Sequence, residues 1–128
     1  MTCSEILIAA CNLISESAGE TVTDDFGERA PYIISSFCGM AATADKHYRL
    51  AFSLGAQPEF NRLRLNPSDP FPLSDRFIPS AQAYLAAMLI AAENPELSAT
   101  LRETARNDLL AAYDEIPATI HGIINSYI

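Results

Sequence analysis

Histidine and cysteine often bind metals or act as bases and nucleophiles, and this sequence contains five of them. They are the two histidines, His47 and His121, and the three cysteines, Cys3, Cys11 and Cys38. The histidines are far apart, and no Cys-X-X-Cys or mixed Cys/His pattern has the spacing that a metal site or a nucleophile–base pair requires. We therefore expect no metal, no cofactor and no catalytic residue. We interpret the cysteines as small, buried or half-buried thiols of a reducing compartment.

Two carboxylate pairs have the composition of an acid–base couple. Asp24 and Asp25 fall where a helix is predicted to begin, and carboxylates there stabilise the positive end of the helix dipole. Asp114 and Glu115 fall near the end of another predicted helix. Solvated surface charge is the better interpretation, at least for the first pair. The glycines stand singly, so no phosphate-binding loop is predicted, and we expect a protein that is not an enzyme and has no small-molecule substrate.

The basic residues are unevenly distributed. Lys46, Arg49, Arg62 and Arg64, which we call the basic set, are half of the eight basic residues and all fall in the central part of the chain. Ordinary solvated surface is one interpretation. The other is a single exposed surface that contacts a partner or the phosphates of DNA.

The chain as a whole is acidic, with a net charge of −8 over 128 residues. Charge of this sign opposes general nucleic-acid binding and docking on anionic membranes. The length fits one domain, the N-terminal residues lack the basic region of a signal peptide, and the apolar run at 77–92 is shorter than a membrane span. These features predict a soluble cytoplasmic domain.

Apolar residues at helical spacing predict a mainly helical fold, a bundle of four to five helices. The first helix begins near Thr2 to Ser4 and stops at Gly19. The second opens at Thr21 or Thr23, and Pro31 kinks it or splits it into two pieces.

The middle of the chain is predicted to be less regular. A further short helix is possible within residues 45–55, ending at Gly55. Residues 56–74 contain four prolines, which exclude a long helix. Alternation within residues 59–65 favours a short strand, with the leucines on one face and the arginines on the other.

The stretch DPFPLSDRFIPSAQAYLAAML, at residues 69–89, predicts a central helix. Its first prolines force an extended approach, Ser74 or Asp75 can cap the helix, and Pro79 falls in the first turn. The helix is expected over residues 75–93, and because it is apolar nearly all round, neighbours must cover it. Asn94 and Pro95 then start a final helix that runs to about residue 116 and packs antiparallel against the central one.

The last residues, PATIHGIINSYI, are unusually apolar for a chain end. We interpret residues 117–128 as an extended arm, bent at Gly122, that docks on another subunit. Docking within the same domain, as a strand beside residues 59–65, is the alternative. The docking side chains would be those of Ile120, Ile123, Ile124 and Tyr127.

Four stretches, in this order, resemble one known protein family. They are SEILIAACNLISE, DDFGERAP, FPLSDRFIPSAQAYLAAMLIAAENPEL and IPATIHGIINSY. The chain resembles the head–tail connector (adaptor) proteins of tailed phages and prophages over most of its length, and matches them least at residues 45–66. The resemblance implies an amphipathic helix, a second helix opened by an acidic/Arg-Ala-Pro turn, an insertion, a proline-fenced apolar helix, a last amphipathic helix and a C-terminal arm.

The same resemblance implies a structural virion-assembly protein. Copies would form a homo-oligomeric ring below the portal and extend the DNA channel. The ring would meet portal and tail-completion proteins and let DNA pass without specific contacts. The protein would occur first in the host cytoplasm and then in the neck of the virion. A stand-alone helical module that binds a protein partner or regulates one is the alternative.

Overall fold

Four α-helices form the fold in the part of the chain that the structure describes. The computed structural model describes the backbone of residues 1–18 and 23–117, and the side chains of residues 1–14 and 25–117. The helices are α1 (Cys3–Ala18), α2 (Thr23–Phe52), α3 (Ile78–Ile90) and α4 (Pro95–Asp114), and a 3₁₀ turn (Asp75–Phe77) leads into α3. The prediction of a small, mainly helical bundle is confirmed.

The start of α1 is closed by a reciprocal cap. The Glu5 main-chain N–H donates to the Thr2 hydroxyl at 3.3 Å, and the Thr2 main-chain N–H donates to the Glu5 carboxylate at 3.2 Å. The next two donors reach the irregular segment, because the N–H of Cys3 donates to the carbonyl of Asp69 and that of Ser4 to the carbonyl of Pro67. The loop before the central helix is therefore tied to the first helix.

Helix α2 is continuous through Pro31, so the predicted split at this proline is wrong. Its buried face is made by apolar side chains on both sides of the proline, among them Phe26, Ala30, Ile34 and Phe37. Proline cannot donate a main-chain hydrogen bond, but its carbonyl still accepts one, here from the N–H of Leu65 at 3.0 Å. Burial of one continuous face outweighs the local cost of the proline.

The predicted separate helix within residues 45–55 is also wrong, because α2 itself extends to Phe52. Ser53 then adopts a left-handed backbone conformation with φ of 55°, and the N–H of Leu54 donates back to the carbonyl of Arg49 at 3.0 Å. This bond across the left-handed residue is the standard C-terminal helix stop. Gly55, with φ of 83°, completes the turn.

Residues 59–65 do not form the predicted strand and are irregular. The Asn61 side-chain oxygen accepts from the N–H groups of Leu63 and Arg64, at 2.9 and 3.2 Å. An asparagine that bonds its own following main chain makes a turn instead of a ladder. As a result Leu65 is buried while Leu63 points to solvent, and the two leucines do not share one face.

Helix α3 is the central element, with eight buried residues among its thirteen. It is shorter than the predicted 75–93. The Ser98 hydroxyl donates to the Ala87 carbonyl at 2.8 Å, and that of Ser80 donates to the Asp108 carboxylate at 2.7 Å. The earlier residue of α3, Ser80, contacts the later residue of α4, Asp108, and the later residue of α3, Ala87, contacts the earlier residue of α4, Ser98. The two helices are therefore antiparallel, as predicted.

The turn between α3 and α4 follows the sequence prediction. The Asn94 side chain accepts from the N–H of Leu97 at 3.1 Å, and Pro95 takes the first helical position, where its missing donor is not needed. Helix α4 ends at Asp114, two residues before the predicted end.

Candidate interaction surfaces

A fully buried carboxylate, that of Asp45, fixes the geometry around the basic set. Its oxygens accept from Arg49 Nε at 2.7 Å, Gln57 Nε2 at 2.8 Å, the Ser74 main-chain N–H at 2.8 Å and the Ser74 hydroxyl at 2.7 Å. Burial acts to raise the pKa of Asp45, but the hydrogen bonds to Gln57, Ser74 and Arg49 outweigh it, so the pKa is lowered. These four residues are called the Asp45 cluster below.

The Asp45 cluster ties the irregular segment to α2 at several points. Arg49 also donates to the carbonyl of Pro72 at 3.3 Å, and Gln57 donates to the carbonyl of Ala42 at 2.9 Å. Ser74, which the sequence offered as a helix cap, makes no side-chain cap, and its hydroxyl instead donates to Asp45. The cluster therefore holds the segment between α2 and α3 as a defined surface.

The structure gives the members of the basic set different surroundings, although Lys46 shares one hollow with Arg49 and another with Arg62. Arg49 is a member of the Asp45 cluster, and its side chain is only 15% exposed. Lys46 and Arg62 line one hollow of about 400 Å³ together with Glu59 and Phe60, and the Arg62 guanidinium lies 4.8 Å from the centre of the Phe60 ring.

The fourth member of the basic set, Arg64, lies beside another aromatic ring. Its guanidinium is 5.8 Å from the centre of the Tyr32 ring, and it bonds the Asn66 side chain. Lys46, Arg62 and Arg64 are exposed. Contact of the basic set with a partner or with DNA stays a prediction.

The same part of the chain, from the end of α2 through residue 63, also has exposed apolar side chains. They are Leu50, Phe52, Leu54 and Leu63, of which Leu63 is 78% exposed. Three of them follow each other closely at the end of α2, but only the fold shows that their side chains are exposed. Exposed apolar side chains near basic groups are typical of a surface that contacts another protein.

A second apolar surface is a groove between α2, α3 and α4, called the α4 groove here. It has a volume of about 250 Å³ and is lined by Phe37 and Met40 from α2, Tyr84 from α3, and Ala105 and Leu109 from α4. Two exposed arginines of α4, Arg102 and Arg106, also line it. The sequence alone did not predict this groove.

An ion-pair network joins the start of the central helix to α4. Arg76 donates to Asp108 at 3.2 Å and to Glu115 at 2.9 Å, and the buried Ser80 hydroxyl also donates to Asp108. Glu115 is thus a partner of Arg76 as well as a partly solvated charge. The network positions two helices, and its members come from sites 28 to 39 residues apart, so sequence spacing could not reveal it.

The three cysteines are free thiols. Burial raises the pKa of Cys3 to about 11 and raises the pKa of Cys38 further, with the nearby charge of Asp45 contributing to the latter. Burial also raises the pKa of the half-buried Cys11. Within the described residues, no three His, Cys, Asp or Glu side chains are grouped so that they could hold a metal ion.

Among the described residues no helix is both long and apolar enough to cross a membrane. Four predicted site residues, Ile120, Ile123, Ile124 and Tyr127, lie outside the described residues, as does His121. The comparisons of this chain with family models, with curated proteins and with solved structures give no match.

Proposed function

We propose that the protein is a structural assembly protein, a head–tail connector of a tailed phage or prophage, that works through its outer surface. The observation that carries the proposal is the surface at the end of α2, where the exposed Leu50 lines one hollow together with Lys46 and Arg49. The buried Asp45 cluster holds that surface in place. A ring contact needs exposed apolar side chains with polar groups near them, as interfaces between subunits combine an apolar core with a polar rim.

The order of the elements supports the assignment to connectors. The sequence resemblance implies an amphipathic first helix, an insertion, a proline-fenced apolar helix and a last amphipathic helix. The chain has α1, the irregular residues 53–74, the proline-fenced α3 and α4 in that order. The residues of the insertion that match the family least are the ones that carry the exposed patch, and we assign to them the contact with neighbouring subunits, portal or tail proteins.

The net charge of −8 suits a channel that DNA must pass without being held. A surface that neutralises phosphates binds DNA tightly, whereas an acidic one repels it. In the proposed ring the acidic surface faces the lumen, and the basic set meets an acidic neighbour. Copies assemble in the host cytoplasm and end in the virion neck.

Sedimentation velocity and negative-stain electron microscopy over a wide concentration range test the proposal. We expect a discrete ring at high concentration, and binding to the portal protein encoded nearby. The substitution Leu63→Asp should lower the ring fraction without changing the melting temperature, since this side chain is exposed. A gene without capsid or tail genes as neighbours, and a chain that stays monomeric throughout, would refute the connector function.

A monomeric helical module that binds one partner protein is the second candidate. It is favoured by the row Arg62, Leu63 and Arg64, in which all three side chains are exposed. Such a row fits a partner with acidic and apolar side chains. In that case the chain would remain monomeric, and Leu63→Asp would weaken the complex with the partner instead of a ring.

A further inference from the structure

The α4 groove brings apolar side chains from three helices to the surface of the part of the chain that the structure describes. The rings of Phe37 and Tyr84 lie against each other there, with their centres 5.6 Å apart. Met40 lines the same groove and is 60% exposed. Methionine is unbranched and adapts to the apolar groups that pack on it, so it is frequent at surfaces that bind other proteins. The groove is therefore a candidate docking surface.

Two arginines of α4, Arg102 and Arg106, line the groove beside these apolar groups. Both are exposed, and neither forms an ion pair with any residue that the structure describes. Glu103 lies three residues before Arg106 but does not pair with it. Because like charges one turn apart on a helix repel each other, the two arginines destabilise α4 slightly unless carboxylates approach from outside. The groove is thus apolar, with two solvated positive charges at its α4 side.

The size of the groove decides between two kinds of occupant. Its volume is about 250 Å³, which is below the range of about 300–1,000 Å³ typical of small-molecule sites. A space of this size suits a few apolar side chains of another protein, and an amphipathic helix supplies such side chains at intervals of one turn. Arg102 and Arg106 are also one turn apart, about 6 Å along the helix axis. Two carboxylates at the same interval on a partner helix can therefore face both guanidinium groups.

The local charge favours an acidic partner, although the chain as a whole carries a net charge of −8. At physiological ionic strength exposed charges are screened beyond about 8 Å, so distant carboxylates contribute little at the groove. The guanidinium groups of Arg102 and Arg106 dominate the interaction there. A guanidinium group also bonds a carboxylate through two parallel hydrogen bonds, which gives such a contact a defined geometry.

We propose that the α4 groove binds an amphipathic helix of a partner protein. That helix presents apolar side chains to Met40 and Tyr84 and two carboxylates to Arg102 and Arg106. The apolar contacts supply most of the affinity, and the carboxylates fix the orientation of the bound helix. The proposal goes beyond the connector function, because the groove shares no lining residue with the hollows at the end of α2. A connector that uses both surfaces can hold another protein while its ring contact stays occupied.

A labelled synthetic helix tests the docking by fluorescence anisotropy. The probe has two leucines one turn apart and two glutamates one turn apart on the adjoining face, and the control peptide has lysines in place of the glutamates. The full chain is used at concentrations where sedimentation shows a monomer. Wild type should bind the glutamate peptide at least about tenfold more tightly than the lysine peptide, because two ion pairs are exchanged for two repulsions.

One pair of variants tests the apolar part of the contact. Met40→Asp should abolish binding of the glutamate peptide. Ile8→Asp is the matched control, since it makes the same kind of change at an apolar residue of α1 that is 59% exposed and does not line the groove. This control should leave the affinity unchanged.

A second pair of variants tests the charged part. Arg102→Glu combined with Arg106→Glu should reverse the preference, so that the lysine peptide binds more tightly than the glutamate peptide. Thr100→Glu combined with Thr104→Glu adds carboxylates at exposed positions of the same helix that do not line the groove. This second control should keep the wild-type preference, which separates a local contact from a general effect of net charge.

Circular dichroism checks that the helices of each variant are intact. Failure of wild type to bind the glutamate peptide would overturn the proposal, and so would an unreversed preference in the double arginine variant. A concentration-dependent dimer of wild type that Met40→Asp abolishes would also overturn it, because a second copy would then occupy the groove. Failure to form rings would refute the connector function and would leave the peptide measurements unaffected.

Discussion

One carboxylate oxygen of Asp45 accepts two hydrogen bonds from Ser74, which lies 29 residues later in the chain. The main-chain N–H donates at 2.8 Å and the hydroxyl at 2.7 Å. The other carboxylate oxygen accepts from Arg49 and Gln57. A single buried side chain thereby connects α2, the irregular segment and the entrance to the central helix.

The first prediction is that Asp45→Asn lowers the free energy of unfolding by about 3–5 kcal/mol, because it leaves the Arg49 guanidinium without its buried partner. Asp25→Asn is the matched control. It breaks another Asp–Arg pair four residues apart on the same helix, but that pair is 57% and 43% exposed. An exposed pair of this kind contributes less than about 1 kcal/mol. Urea unfolding of both variants measures the difference, and equal losses would contradict the structural role of the cluster.

The pH dependence of the unfolding free energy, compared between wild type and Asp45→Asn, supplies a second test. The pKa of Asp45 is lower in the folded protein than its ordinary value. The stabilisation is therefore complete above the unfolded pKa of about 3.9 and is lost as the pH falls through the folded pKa. The difference between wild type and Asp45→Asn should shrink as the pH is lowered below about 4.

The second prediction concerns the end of α2. Ser53 has φ of 55°, a conformation that costs an L-residue about 1–2 kcal/mol and costs glycine almost nothing. Ser53→Gly should therefore raise the free energy of unfolding by about 1 kcal/mol. Ser36→Gly, an exposed serine in the interior of the same helix, should instead lower it by about 0.5 kcal/mol. Changes of the same sign in thermal unfolding would show that the left-handed stop is not formed.

The third prediction tests the central helix. Leu85 is fully buried in α3, so Leu85→Ala should cost about 2–5 kcal/mol of unfolding free energy. Leu110→Ala, at a half-exposed leucine of α4, should cost much less. A denaturation midpoint of Leu85→Ala within error of wild type would contradict the central position of α3.

The fourth prediction divides the basic set. Arg49→Ala should destabilise the fold by several kcal/mol, about the cost of removing one partner of a buried ion pair. Lys46→Glu and Arg62→Glu change exposed side chains and should leave the free energy of unfolding within about 0.5 kcal/mol of wild type. If Lys46 and Arg62 contact a neighbouring subunit, each of these two substitutions should reduce the assembled fraction in sedimentation while the free energy of unfolding stays unchanged. An intact assembly in both would remove Lys46 and Arg62 from the contact.

The regular elements were predictable from the sequence because local chemistry decides them. Thr2 with Glu5, Asn94 with Pro95, and the apolar run around Leu85 each carry their signal within a few residues. The continuity of α2 was not predictable in this way. The penalty of Pro31 is local, whereas the burial that offsets it comes from a core assembled from distant parts of the chain.

The candidate surfaces were less predictable for the same reason. The composition revealed the basic set, but only the fold shows that Arg49 turns inward to Asp45. The α4 groove unites side chains from three helices, and no spacing rule relates Met40 to Tyr84 or Leu109. The strand at 59–65 was predicted from alternation alone, and one competing hydrogen-bond acceptor, the Asn61 side chain, was enough to make it a turn.

The last prediction concerns thiol reactivity. Only the thiolate attacks a disulfide reagent, and burial raises the pKa of Cys3 to about 11. At pH 8 the thiolate fraction of Cys3 is then about one in a thousand, and that of Cys38 is lower still. Cys11 is only half-buried, so in the native protein it should react with Ellman's reagent first and the other two only as the chain unfolds. All three should react together in strong denaturant, and the variant Cys11→Ser should remove the fast phase alone. Fast reaction of Cys3 or Cys38 in the folded protein would mean that the contact between the start of α1 and the middle of α2 opens readily in solution.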